Sequence, residues 1–313
     1  MDRATRYSVV VPNLHSPRIG EVLDALERQA GLDGAYEVIV VGRDRYGLVR
    51  ETERVRFLRS ERDLNAGEAR NRGIEAARGE VIFFLDADCI PNEDWMARLL
   101  RRYREGYPIV GGGVTFSDRN FWTLCDNVSH FYALYPNGRP RLAVDFNIHT
   151  ANMCVSKALL VKVGKFSERF PGAAGEDFDL IMRIREGGYG LYFDPSALVT
   201  HRPERNSFRS VLRHSAIWAR QSIGIRHRYA ALLKTPRVLY HPLPLLFLSP
   251  MIAVWVSARI FLLYPRLLRY WYTFPVVLLS KIVWCLAAAS ELRNMSVQPT
   301  SKDVAPRGTP SRH

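Results

Sequence analysis

From Arg205 to Ser290 the chain contains no Asp and no Glu, although twelve Lys or Arg lie there. The tail from Glu291 adds a net +2, so the whole formal excess of +13 lies outside residues 1–204, which carry about −1. A nucleic-acid binder needs its cations on the recognition domain. Here they accompany an apolar, aromatic-rich stretch, which favours an anionic lipid surface and excludes nucleic acid as the expected partner. Cysteine is also scarce. Cys89, Cys125, Cys154 and Cys285 are scattered with no Cys-x-x-Cys pair, so neither a zinc site nor a disulfide framework is expected, and a reduced compartment fits. Asp2 and Arg3 precede a short apolar strand, with no apolar leader, so the globular part is expected to stay cytosolic. Gly111-Gly112-Gly113 has no Gly-Lys-Ser/Thr after it, so it reads as close backbone packing rather than a phosphate loop.

What is present centres on Asn65 to Asp94. Residues 66–78 have helix-compatible spacing, with Ala69, Gly73 and Ala76 or Ala77 on one side. Val81 to Leu85 is a continuous apolar run, as expected of a parallel strand covered on both faces, and it discharges into Asp86-Ala87-Asp88. Two carboxylates at i and i+2 can point to one side, with the small Ala87 leaving room for a ligand near the backbone. Hard divalent cations such as Mg²⁺ or Mn²⁺ take carboxylate oxygens and complete their shell with phosphate and water. Upstream, the strand Tyr7 to Val11, the helix Ile19 to Ala30 and the strand Val38 to Val41 give the strand, crossover, parallel strand order of a doubly wound α/β sheet.

The chain resembles the family 2 glycosyltransferases, whose nucleotide-sugar domain has the GT-A fold. Asn65-x-Gly67, Ala69-Arg70-Asn71-x-Gly73, Gly79-Glu80, the apolar strand and Asp86-Ala87-Asp88 carry the resemblance, which spans roughly residues 6–204. It implies a nucleoside-diphosphate sugar donor and a divalent metal, Mn²⁺ or Mg²⁺. Asp88 is then the metal ligand and Asp86 the ribose contact, with Pro12, Asn65, Arg70, Asn71 and Ala87 on the donor side. The family's second strand ends in acidic residues that hold the nucleobase. Here it ends Gly42-Arg43-Asp44, so only the displaced Asp44 is left as a base contact, with a plain turn residue as the alternative.

The acceptor half of the resemblance runs through Asn152 to Lys157 and Gly175-Glu176-Asp177-Phe178-Asp179. Inverting transfer needs a base for the acceptor hydroxyl, which Asp177 is expected to be, with Glu176 positioning it. Glu176 and Asp177 would otherwise merely favour a helix N-terminus. His201, after a short apolar strand, is expected to complete the metal site, and its imidazole suits Mn²⁺ better than Mg²⁺.

Residues 1–204 are thus read as a GT-A catalytic domain. Residues 205–241 read as a basic amphipathic segment with Phe208, Val211, Leu212 and Trp218 as its apolar stripe. Residues 242–290 read as a membrane-embedded helical hairpin, from apolar runs at Leu243 to Leu263 and Thr273 to Ala289, and 291–313 as a disordered tail. Processive synthases of this superfamily carry Gln-x-x-Arg-Trp, and Trp218-Ala219-Arg220-Gln221 stands here instead, which favours transfer of one sugar over polymer extrusion. The expected function is metal-dependent transfer to a lipid-linked or membrane-proximal glycan at the cytoplasmic membrane face, in polysaccharide or glycolipid biosynthesis. A nucleotidyltransferase of similar fold would want a Gly-rich, Arg- and Lys-bearing signature after the first strand, which Pro12 to Arg18 lacks. A catalytically silent membrane scaffold would have no use for the intact acidic motifs.

Overall fold

The computed structural model describes residues 5–143, 148–172 and 174–297. In chain order the first half comprises β1 (Thr5–Leu14), α1 (Ile19–Glu27), β2 (Ala35–Arg43), β3 (Val55–Arg59), α2 (Ala66–Ala76), β4 (Val81–Leu85), β5 (Cys89–Pro91), α3 (Trp95–Arg104) and β6 (Ile109–Phe116). Then come α4 (Phe121–His130), β7 (Arg141–Leu142), β8 (Asn152–Ser156), α5 (Lys157–Lys162), α6 (Glu176–Glu186) and β9 (Tyr192–His201). The rest is helical: α7 (Phe208–Arg228), α8 (Ala230–Leu233), α9 (Pro242–Phe247), α10 (Ser249–Leu263), a 3-10 stretch Pro265–Thr273 and α11 (Phe274–Val297).

One sheet runs β3-β2-β1-β4-β8-β6-β9-β5, with β7 also on β9. β1 pairs parallel with β2 and β4, and β2 with β3, as the strand and crossover order requires. β8 lies antiparallel between β4 and β6, while β6 and β9 run parallel. β4 is buried at all five positions, Val81 to Leu85, so its sequence has no reason to alternate.

The Asn152 side chain ties three elements of this sheet together. Its amide nitrogen donates to Gly113 O and Ala197 O, both at 2.8 Å, and its oxygen accepts from Trp95 Nε1 at 2.7 Å. A Cβ on Gly112 would lie 2.3 Å from Ala197 O and 2.4 Å from that amide, so glycine is needed here for backbone approach.

The C-terminal helices depart from expectation. The main core of buried side chains includes Ile225, Tyr229, Ile260, Phe261, Leu267, Tyr270 and Val277 together with the strands, so no break in packing follows residue 204. The buried residues of α7 are Val211, Ser215, Ala219, Ser222, Ile223 and Ile225, so of the apolar stripe read from sequence Val211 packs inside while Phe208 is exposed. Small residues let α11 approach closely, and Ser215 Oγ donates to Ser280 O at 2.9 Å. The apolar run from Leu243 breaks at Leu248, leaving α10 with 15 residues, short of the roughly 20 that a span needs. Among the described residues one helical stretch, Pro265–Met295, is long and apolar enough to cross a membrane, yet 44% of its apolar window is buried inside the protein. The helices after residue 204 pack on one another and on α4, and of the two apolar runs only the second, among the described residues, has the length of a span. Residues 291–297, expected in the tail, continue α11, and 298–313 lie outside the described residues.

Gly112→Ala is expected to lower unfolding stability by about 3 kcal/mol, at the upper end of overpacking costs. Gly190→Ala, whose Cβ would meet only Leu142 at 3.8 Å, should change it by less than about 0.5 kcal/mol. Thermal or denaturant unfolding of the two variants side by side checks this.

Candidate active site

β4 ends at Leu85, and the turn that follows delivers Asp86, Ala87 and Asp88 to one cavity above the carboxyl ends of the parallel strands. Pro12, Arg70, Glu176, Asp177 and His201 line the same cavity. Asp86 and His201, 115 positions apart in sequence, therefore meet in one cavity.

Arg70 of α2 is the pivot. It is only 3% exposed, and it donates to Asp86 Oδ1 at 2.8 Å and to Glu176 Oε1 at 2.6 Å. Burial alone would depress its pKa, but the charges of Asp86, Glu176 and Asp177 outweigh burial and raise it. α2 is held in place by Asn65, which caps its N-terminus reciprocally with Glu68, and by Asn71, whose amide donates to Phe166 O at 2.9 Å and accepts from Phe166 N at 2.9 Å. Asn65 and Asn71, expected on the donor side, are not among the residues that line the cavity and hold the helix that carries Arg70.

Asp44 is likewise not brought to the cavity. Its two oxygens accept from Tyr46 N at 3.1 Å and Val49 N at 2.7 Å, which makes it the turn residue of the alternative reading. The slot beside β1 is lined instead by Pro12, Asn13, Leu14, Val41, Gly42 and Leu64. Gly42 has φ of +131° and its absent Cβ would fall 2.2 Å from Asn13 O, so the strand ends approach too closely for a side chain there.

At the other end of the acidic turn, Asp88 Oδ1 faces His201 Nε2 at 3.7 Å, too far for a hydrogen bond. His201 Nδ1 is 2.6 Å from Asn127 Oδ1 and must carry the proton of that bond, because Asn127 donates its own amide N–H to His201 O. Nε2 is thereby left with a lone pair pointing at a carboxylate. Burial lowers the His201 pKa to about 3, so the ring is neutral. Asp88 and His201 fit a divalent cation. Cys89 is within reach of both, and without a metal burial raises its thiol pKa well above the usual value.

On the opposite wall, burial raises the pKa of Asp177 against the pull of Arg70. Burial and the adjacent Asp177 push Glu176 up to about 7, against the pull of Arg70. His149 Nδ1 lies 3.4 Å from Asp177 Oδ2, and burial takes this imidazole down to about 4.

Several lining residues were missed by sequence reasoning. Asp126 of α4 pairs with His214 Nδ1 at 2.6 Å and Arg205 at 3.3 Å, both in the cavity wall. Burial would raise Asp126, but His214 and Arg205 overcome it and hold it well below the usual range. Trp218 and Phe131 complete that wall, with His149 stacked near Trp218 at 6.4 Å between ring centres. Asp126 and His130 are one helical turn apart, the only local signal that sequence could have offered.

The family described as Glycosyl transferase family 2 matches residues 8–162. Glycosyltransferase AglE of Haloferax volcanii is 26% identical over 244 residues, covering 72% of this chain and 78% of that protein. The pre-mycofactocin glycosyltransferase of Mycobacterium tuberculosis is 28% identical over 173 residues, covering 51% of this chain and 35% of that one. Among solved structures, mannosyltransferase PcManGT from Pyrobaculum calidifontis, in complex with GDP-Man and Mn²⁺, superposes with a TM-score of 0.58 at 18% identity, over 94% of this chain and 88% of that one. That likeness extends through the C-terminal helices and identifies the GT-A fold. The matched segment carries the acidic turn and Arg70, and the relative from Haloferax volcanii covers 72% of the chain, so the chain is a glycosyltransferase and belongs to glycosyltransferase family 2.

Proposed function

We propose that the chain transfers one sugar, with inversion, from a nucleoside-diphosphate donor to a hydroxyl of a lipid-linked or membrane-proximal glycan acceptor. The observation that carries this reading is the convergence, in one cavity, of Asp88 and His201 with Glu176 and Asp177, where Arg70 joins Asp86 to Glu176. Asp88 and His201 would hold the divalent metal, and the Mn²⁺ and GDP-Man of the structural neighbour support that assignment. When bound, the metal offsets charge on the departing diphosphate. Arg205 and His214 add donors on the same wall. Asp86, tied to Arg70, is left to meet the donor's ribose, with Pro12 and Ala87 beside it. Asp177 takes the proton of the attacking hydroxyl, and its raised pKa makes it a stronger base once ionised.

The location of the acceptor rests on the helical layer. Met251, Trp255 and Leu262 of α10 recur at helical spacing and are 62%, 60% and 76% exposed, with Arg259 one turn beyond Trp255. Trp271 in the next stretch is 70% exposed, between Arg269 and the start of α11. Exposed aromatics and cations without acids suit a monotopic attachment to anionic lipid on the cytoplasmic face.

Asp88→Ala should abolish metal-stimulated turnover and metal-dependent donor binding while the unfolding transition stays in place. Full metal stimulation in that variant, read by donor hydrolysis with and without Mn²⁺, would refute the ligand assignment.

Asp177→Asn should lower kcat by a factor on the order of 10²–10⁴ with donor affinity little changed. The base works only when ionised, and burial raises the pKa of Asp177, so kcat should still be rising with pH above the ordinary carboxylate range rather than level off within it. A flat kcat profile from pH 5 to pH 8, on the order of the range where a raised carboxylate titrates, would count against Asp177 as the base.

Attachment should survive high salt, which screens only the electrostatic part, and be released by detergent. Trp255→Glu should shift protein to the soluble fraction without changing donor hydrolysis. Wild-type protein found soluble without detergent would overturn the membrane reading.

A further inference from the structure

The helical layer holds buried donors that the chemistry of the cavity leaves unused. Arg226 of α7 is caged by aromatic rings, its guanidinium carbon 5.1 Å from the Phe178 ring centre, 5.8 Å from Trp284 and 5.9 Å from Trp218. Its Nε is buried and makes no hydrogen bond, and no carboxylate pairs with it among the described residues. No hydrogen bond from the two Nη atoms is found among the described residues, and the side chain as a whole is only partly buried. The indole Nε1 of Trp284 and the hydroxyl of Tyr240 are buried without partners in the same layer. Tyr240 is near enough to act on the Arg226 charge. Lys281, three residues before Trp284, donates to Ser129 O, and its Nζ lies 5.8 Å from the Tyr132 ring, on which Arg226 also acts.

The contrast with Arg70 is instructive. Three carboxylates hold Arg70 charged, whereas burial dominates at Arg226 and pulls its pKa down, opposed only by the phenols of Tyr132 and Tyr240. A buried cation and buried N–H and O–H groups without acceptors are each unfavourable. What this set lacks is an anion with several acceptor oxygens, and phosphate meets that need, with Arg the side chain best suited to it. Its place is informative too. Phe178 follows Asp177 and Trp218 lines the cavity, so an anion here would sit one side-chain layer behind the base.

We propose that Arg226, Lys281, Trp284 and Tyr240 form a phosphate-binding subsite that takes the phosphate of the acceptor. This deepens the glycosyl-transfer reading and rests on it. The phosphate can come from a lipid headgroup or from a soluble phosphate, and binding is measured separately from transfer so that the two readings can fail independently.

The full chain in detergent micelles is titrated with farnesyl phosphate, with farnesol and with inorganic phosphate, in the absence of metal and donor. Binding is followed by calorimetry. Farnesyl phosphate should bind at least roughly tenfold more tightly than farnesol, the scale of a hydrogen bond to a charged group. Trp284→Phe keeps the ring and removes the N–H, and Arg226→Gln removes the charge. Each should weaken farnesyl phosphate binding roughly tenfold while metal-dependent binding of a nucleotide sugar stays at the wild-type level. Preference for farnesyl phosphate over inorganic phosphate assigns the subsite to a lipid headgroup, and equal, variant-sensitive binding of the two assigns it to a soluble phosphate. Equal binding of farnesol and its phosphate, or variants that bind farnesyl phosphate like the wild type, overturns the proposal. If Trp284→Phe melts higher than the wild type and leaves phosphate binding unchanged, the indole is merely a strained packing group and the proposal fails.

Discussion

A single guanidinium connects the two halves of this enzyme. Arg70 reaches from α2 to Asp86 at the end of β4 and to Glu176 at the start of α6, so the acidic turn and the start of α6 share one ion-pair centre. Removing one member of such a buried arrangement leaves an uncompensated charge, at a cost of about 3–5 kcal/mol. The surrounding architecture serves to fix that centre. Asn65 and Asn71 hold α2, and Phe166, which Asn71 anchors, packs edge-on against Phe84 of β4 with ring centres 5.2 Å apart.

The charge pattern around this centre separates two kinds of work. Near Asp88, Asn127 fixes which nitrogen of His201 is bare, so a neutral ring faces a carboxylate. Near Glu176 and Asp177, carboxylates outnumber the cation, which favours retention of a proton. A third cluster around Asp126 orients Arg205 and His214 toward the cavity. The same cavity can therefore hold cationic donors at one wall and a proton acceptor at another.

How much of this was legible in the sequence depends on how local each signal is. An apolar run ending in Asp86-Ala87-Asp88 specifies a strand, its end and its carboxylates within eight residues, and the structure keeps all three. Gly175-Glu176-Asp177 is equally local, at the first turn of α6. Asp44, Asn65 and Asn71 looked alike as polar residues beside the motif, and only their partners show that they hold backbone rather than face the cavity. The wall built from Phe131, His149, His214 and Trp218 has no sequence signature, because α4 and α7 meet only in the folded chain. The packing face of α7 was misread in part for a related reason. Hydropathy rewards Phe208 and Leu212, whereas close helix contact with α11 is made by Ser215, Ala219 and Ser222.

The continuity of the core through Ile225, Ile260 and Val277 bears on how such a chain can change over evolutionary time. An enzyme whose anchor is a separate module can exchange it by recombination and keep its chemistry. Here α7, which packs on α11, also supplies Trp218 and His214 to the cavity. A new anchor would bring a new cavity wall with it, so address and substrate preference must diverge together, by successive point substitutions rather than by domain shuffling.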